Sequence, residues 1–124
     1  MKITGFCPLI VTKDPEAVMK IFEDLGFEKK HTKTDIEGGD NTNYAMKDAN
    51  GNRINIASSE TIPQDITSMS INVDNFQEAY DFLIAHGFVN PRGDKVTDTS
   101  SSRATMLFAP SGFPVTISEH IKKD

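Results

Sequence analysis

The sequence predicts an α+β protein built from two tandem βαβββ modules, and three observations carry that prediction. Residues recur at one constant separation of 61 positions: Asp14 with Asn75, Gly26 with Gly87, Phe27 with Phe88, and Gly51 with Gly112. Each copy contains one amphipathic helical stretch, and that stretch is flanked by segments of alternating polarity. In 124 residues only two copies fit, which excludes an extended solenoid, an architecture needing about three repeats or more. The expected organisation is one domain over 1–124, with modules 1–60 and 61–124. A unit of ~60 residues buries too small a fraction of its surface to be robust alone. The modules are therefore expected to share one core and to enclose a central cavity.

The first strand is expected over 3–12, where β-branched and apolar residues dominate up to Asp14-Pro15. Asp14 suits the N-cap of the helix that follows, and Pro15 suits its first position, where a missing N–H costs nothing. Val18, Ile21, Phe22 and Leu25 recur at helical spacing as one apolar stripe, and Gly26 ends the helix in the left-handed conformation. Strands are expected over 27–36, 41–48 and 52–58, with turns at Gly38-Gly39 and Asn50-Gly51. Residues 59–65 form a polar linker. The second copy repeats this logic. Asn75 and Glu78 have capping-box spacing, Phe76, Ala79, Tyr80 and Leu83 form the stripe, and Gly87 ends the helix. Its first strand carries Ser68 to Val73, and three more are expected over 88–97, 103–109 and 113–119, with Ser111-Gly112 as a turn and Asp94–Ser102 as the most loop-like stretch.

Strand alternation then assigns faces. Met69, Ile71 and Val73 form an apolar row turned toward the helix, and Ser68, Ser70 and Asn72 form the opposite, polar row. Through the 61-residue separation, Cys7 falls with Ser68. Phe6, Pro8 and Ile10 share the other face of the first strand. Ile54, Ile56, Val115 and Ile117 are expected in the core. Arg53, Asn55 and Ala57, with Pro114, Thr116 and Ser118, are expected to face the cavity. That row is polar but uncharged apart from Arg53. Unmet buried polar groups cost roughly 1–3 kcal/mol each, so the row is expected to hold water or a polar ligand.

Composition narrows the function. A net charge of −5 argues against nucleic acid, whose phosphates demand a concentrated basic face. No apolar run approaches the ~20 residues that cross a bilayer, and the first residues read as a strand without a cleavage pattern. A single cysteine forms no internal disulfide, so a reducing cytoplasm is expected. Cys7 reads as a small buried side chain, and His86 as a cation at a helix C-terminus. His31 is expected on a solvent-facing strand edge and His120 in the charged tail with Lys122-Lys123-Asp124. Arg53 is placed to meet a carboxylate or phosphate, and Arg103 has a weaker claim because the parity of its strand is ambiguous. Tyr44, Met46, Met106 and Phe108 read as core packing or as apolar wall.

The paired βαβββ units, the Lys-Asp and Val-Asp helix starts, the Leu-Gly-Phe and His-Gly-Phe helix ends and the glycine turn before each last strand resemble the vicinal oxygen chelate superfamily. This is the glyoxalase, bleomycin-resistance and extradiol-dioxygenase group, and the resemblance covers essentially the whole chain. It implies that fold, and in enzymes of the group a divalent metal held by His, Gln or Glu from the first and last strands of each module. The corresponding positions lie seven residues before the helix-start residue, at Cys7 and Ser68, and four after the turn glycine, at Asn55 and Thr116. A Cys, an Asn, a Ser and a Thr lack the deprotonated donors that a transition metal requires. The expectation is therefore no metal, no cofactor and no catalytic residue. The chain is expected to be a homodimer of bleomycin-resistance type that binds or sequesters a small organic molecule, an antibiotic among the candidates, in a cleft between modules or subunits. Cys7, Arg53, Asn55, Ser68, Ser70 and Thr116 are the expected contacts. The rival reading is a metal-dependent or Cys7-dependent lyase, isomerase or dioxygenase of the same superfamily.

Overall fold

A computed structural model describes residues 1–33, 43–98 and 102–120, with the side chains of residues 31–33 outside that description. The elements in chain order are β1 (Ile3–Thr12), α1 (Pro15–Asp24), β2 (Glu28–Lys33), β3 (Asn43–Lys47), β4 (Arg53–Ser58), β5 (Ile66–Val73), α2 (Phe76–Ala85), β6 (Thr97–Asp98), β7 (Ser102–Phe108) and β8 (Pro114–His120). The order βαβββ thus occurs twice, as the sequence predicts. The Gly38-Gly39 turn and the Lys122-Lys123-Asp124 tail lie outside the described residues.

The chain divides into two compact units, Cys7–Thr67 and Met1–Phe6 with Ser68–Asp124. In the first, strand neighbours run β2-β3-β4-β1; in the second they run β5-β8-β7-β6, with the start of β1 beside β5. β1 pairs with β4 in parallel through Leu9↔Asn55 and Ile10↔Ile56. β5 pairs with β8 in parallel through Ser70↔Thr116 and Ile71↔Ile117. Adding 61 to the first set of numbers gives the second. The antiparallel pairs obey the same shift, Tyr44↔Ile56 becoming Thr105↔Ile117 and Met46↔Ile54 becoming Leu107↔Val115. The helices, Pro15–Asp24 and Phe76–Ala85, are also separated by that shift. The internal repeat is therefore a repeat of register as well as of sequence.

The helix ends follow from local chemistry. The Asp14 carboxylate accepts from the Ala17 N–H at 3.1 Å, and the Asn75 side chain accepts from the Glu78 N–H at 3.0 Å. The capping box does not close through Glu78, whose carboxylate pairs with the Met1 amino group. The carboxylate of Glu119 accepts from the Phe76 N–H, at 2.6 Å. Both helices end before a glycine with positive φ, 107° at Gly26 and 91° at Gly87, where a side chain would be strained.

Each unit has a core of its own. In the unit Cys7–Thr67, Met19, Met46, Ile54 and Ile56 are buried, with Ile10, Val18, Phe22, Phe27 and Tyr44 packed against them. In the other unit Val73, Phe76, Ala79, Leu107, Val115 and Ile117 are buried, with Ile71, Tyr80 and Leu83 against them. Each helix turns its stripe onto its own strands, so each module buries its own apolar face.

Three expectations are corrected. Ile21 and Leu25 are exposed, because the inward face of α1 is centred on Phe22, Val18 and Met19. At roughly 100° per residue, Ile21 falls to the flank of that face, and Leu25 is the C-cap. Met69 and its counterpart Pro8 are exposed together with Phe6, since each helix covers only the later part of the strand before it. The strand expected over 88–97 is broken. Val89 makes one bridge to Phe108, equivalent to Glu28↔Lys47 in the first copy, and pairing then stops until Thr97. Pro91 has no N–H to give to a ladder, and the buried Asn90 side chain holds the turn. Its Nδ2 donates to the Lys95 carbonyl at 2.9 Å and to the Tyr80 hydroxyl at 3.2 Å, and its Oδ1 accepts from the Arg92 N–H at 3.0 Å.

Ile56→Ala and Ile117→Ala are each expected to lower the unfolding free energy by about 2–5 kcal/mol, since the two side chains are 0% and 1% exposed at equivalent sites. Ile21→Ala is expected to stay within about 0.5 kcal/mol. Urea denaturation of the three variants checks this, and a costly Ile21→Ala would refute the assigned helix face.

Candidate functional site

The sheet face opposite each helix carries the residues that the cores do not use. In the unit Cys7–Thr67, Ile10, Met46, Ile54 and Ile56 pack on the helix side, so alternation puts Cys7 and Leu9 of β1, Ala45 and Lys47 of β3, and Arg53 and Asn55 of β4 on the other. The pairs Leu9↔Asn55, Ala45↔Asn55 and Lys47↔Arg53 fix their positions along the strands. Cys7 is half-buried, and burial pushes its thiol above the ordinary range while the Arg53 guanidinium opposes that rise. The Asn55 side chain makes no hydrogen bond among the described residues.

In the second unit the neutral polar row exists as the sequence predicts, but four of its members satisfy one another. The hydroxyls of Ser68 and Thr116 bond to each other at 2.9 Å. The Ser118 hydroxyl donates to the Asn72 side-chain oxygen. Ser68 and Ser70 are 2% and 7% exposed. Gly5 makes the approach of β1 possible, because a Cβ there would meet the Asn72 side-chain nitrogen at 2.9 Å. The row therefore does not depend on a ligand or water to settle Ser68, Thr116, Asn72 and Ser118. The sequence could not show this, since the partners lie 48 and 46 residues apart.

These contacts test whether the residues suit a divalent metal. Ser68 and Thr116 spend their hydroxyls on each other, and burial favours the protonated, poorly coordinating form of Cys7. Asn55 offers a neutral amide. No group of three or more His, Cys, Asp or Glu residues able to hold a metal ion gathers among the described residues. The donor set does not fit a transition metal, which needs thiolate, imidazole or carboxylate.

The remaining candidates fall elsewhere. Arg103 lies on the helix side of β7, its guanidinium 4.9 Å from the centre of the Phe76 ring and its Nε 3.9 Å from the Asp98 carboxylate. Leu107 in the core settles the strand parity that the sequence leaves open. His86 caps α2, its Nδ1–H donating to the Phe82 carbonyl at 2.8 Å. His120 ends β8, beyond the strand predicted to stop at 119. Tyr44 and Met46 serve the core. Lys47 is the residue the sequence reading missed. The repeat contained the signal, since Lys47 and Arg53 align with Phe108 and Pro114.

Among known families, the profile described as Glyoxalase/Bleomycin resistance protein/Dioxygenase superfamily matches residues 5–117. Similar solved structures include a glyoxalase/bleomycin resistance protein/dioxygenase superfamily member from Vibrio splendidus 12B01, at 16% identity and TM-score 0.61, covering 95% of this chain and 99% of that one. Methylmalonyl-CoA epimerase from Mycobacterium tuberculosis aligns at 14% identity and TM-score 0.67, covering 97% and 90%. Glyoxalase I from Zea mays aligns at 15% identity and TM-score 0.68, covering 98% of this chain and 44% of that one. No curated protein matches in sequence. At these identities the structural likenesses establish the fold.

Arg53→Gln removes the influence that opposes burial at Cys7. The thiol is expected to rise further, and alkylation at pH 8 to slow by roughly two- to tenfold. Cys7 contributes stability that is complete below the unfolded thiol pKa and is lost as pH rises through the folded value. Cys7→Ser is therefore expected to flatten the fall in stability at alkaline pH, measured by denaturation between about pH 7 and 10.

Proposed function

The chain belongs to the glyoxalase/bleomycin resistance protein/dioxygenase superfamily, and from that premise we propose that it binds a small organic molecule without a metal, in the manner of a sequestering protein. The observation that carries this reading is the hydroxyl pair Ser68–Thr116, joined at 2.9 Å where metal-holding relatives would present ligands. Its companions Cys7 and Asn55 add a protonated thiol and a neutral amide. Such groups recognise an organic ligand by hydrogen bonding and reject competitors that leave them unpaired. Within the unit Cys7–Thr67, Asn55 and Arg53 have unspent bonding capacity and supply the recognition. In the other unit, Ser68, Ser70 and Thr116 form a neutral polar row of their own.

Two of the similar structures are enzymes by name, an epimerase and a glyoxalase. An enzymatic reading of this chain needs an acid, a base or a metal, and the corresponding positions offer neutral groups. An antibiotic remains within the ligand class proposed, which is a polar organic molecule.

Protein purified without chelator and equilibrated with zinc, nickel, manganese or ferrous iron is expected to retain far less than one ion per chain after gel filtration. Near-stoichiometric metal that disappears in Cys7→Ala would overturn the reading. Titration calorimetry against cationic antibiotics, aromatic metabolites and organic acids is expected to show heat for at least one. Asn55→Ala is expected to weaken that binding by roughly fivefold or more, the scale of one lost hydrogen bond to a buried partner. A panel that is silent throughout would also overturn it.

A further inference from the structure

We propose that Lys47 and Arg53, side by side on the sheet face opposite α1, bind an anionic group of the ligand, a carboxylate or a phosphate. This rests on the binding function proposed above and names the chemistry of the ligand. The two residues are Cα partners in the antiparallel pair β3–β4, and both are exposed. The burial of Met46 and Ile54 on the helix side puts them on one face. Directly opposed residues have Cβ atoms about 4.5–5.5 Å apart, and like charges at that spacing destabilise a sheet. A pair of cations here therefore works against the fold.

No ion pair among the described residues answers that repulsion. Neither side chain makes a hydrogen bond or an ion pair there. Glu28, the register partner of Lys47, shares this row. Its carboxylate is engaged by the Lys30 ammonium at 3.1 Å. Among the described residues the row thus contains one carboxylate, Glu28, already paired with Lys30, and two cations that make no ion pair, in a chain whose net charge is −5.

The second module shows that the backbone does not require charge at these places. The positions equivalent to Glu28, Lys47 and Arg53 are Val89, Phe108 and Pro114, joined by the same register. The same strands fold with an apolar triad. Charge at Lys47 and Arg53 is a property of this face and not of its architecture. An anion placed over the pair gains charge-assisted hydrogen bonds, with the guanidinium able to present two parallel N–H groups to carboxylate or phosphate oxygens. Asn55 follows Arg53 on the same row and offers an amide donor to the rest of the ligand.

Cys7 gives the readout, because it is the sole cysteine and lies within the influence of Arg53. The rate of its alkylation by iodoacetamide is measured at fixed pH and ionic strength in chloride, inorganic phosphate or malonate. Phosphate, malonate or both are expected to slow labelling saturably, with half-effect on the order of 1–10 mM, and chloride to have no such effect. Lys47→Gln and Arg53→Gln are each expected to reduce the protection factor severalfold, and Arg53→Lys to retain part of it. Protection by phosphate alone assigns a phosphate group, and protection by malonate alone assigns a carboxylate. Absence of saturable protection by either anion, or equal protection in both glutamine variants, would overturn the proposal. If a neutral compound in the calorimetric panel still binds in that case, only the anion assignment fails. If the panel is silent as well, the binding function fails with it.

Discussion

Every placement of a side chain on one face or the other depends on the parallel pairing of the first and last strands of each module, Leu9 with Asn55 and Ser70 with Thr116. A slip of one residue in β4 would carry Ile54 and Ile56 out of the core and turn Arg53 and Asn55 into it. Burying an unpaired guanidinium against Met19 and Met46 would cost several kcal/mol, while two buried isoleucines would lose their packing. The cores therefore hold the register, and the register in turn decides which groups are left over for a ligand.

That constraint explains what was legible in the sequence. The 61-residue separation located both helices, their N-caps Asp14 and Asn75, and the glycine turns, because each of these is set by local chemistry repeated in both copies. It also separated Ile54, Ile56, Val115 and Ile117 from the opposite row, because strand alternation is a property of the backbone. What could not be read were relations across strands. That Ser68 meets Thr116, and Asn72 meets Ser118, depends on side-chain distances that no spacing in the chain encodes. The break after Val89 was masked by residues that suit a strand in the first copy, although Asn90-Pro91 already withdrew a donor from the ladder.

The two modules use one backbone for two kinds of surface. They preserve the apolar positions, Met46 with Leu107 and Ile56 with Ile117, and diverge on the opposite row. There Leu9 stands for Ser70, Asn55 for Thr116, Ala57 for Ser118 and Arg53 for Pro114. The second module spends most of its polar groups on internal hydrogen bonds, which stabilises it and leaves little for a ligand to satisfy. The first module has fewer polar groups but leaves them unspent. Self-satisfied hydroxyls and unspent cations are opposite solutions to the same exposure, and only the second one gains from a partner.

Two arginines show the difference within one chain. Arg103 lies over the Phe76 ring at 4.9 Å and faces Asp98 across 3.9 Å, too long for a hydrogen bond but close enough for attraction. Its charge belongs to the packing at the start of α2, where Glu119 also satisfies the Phe76 N–H. Arg53 has no ring, no carboxylate and no carbonyl among the described residues to answer it, and its register partner is another cation. Natural sequences agree with their folds at most positions and depart from agreement where a function demands it. The helix-side arginine has a ring and a carboxylate to answer its charge, although its buried Nε has no hydrogen-bond partner among the described residues. The arginine on the open face repels its neighbour, and an anion is the group that would turn this repulsion into attraction.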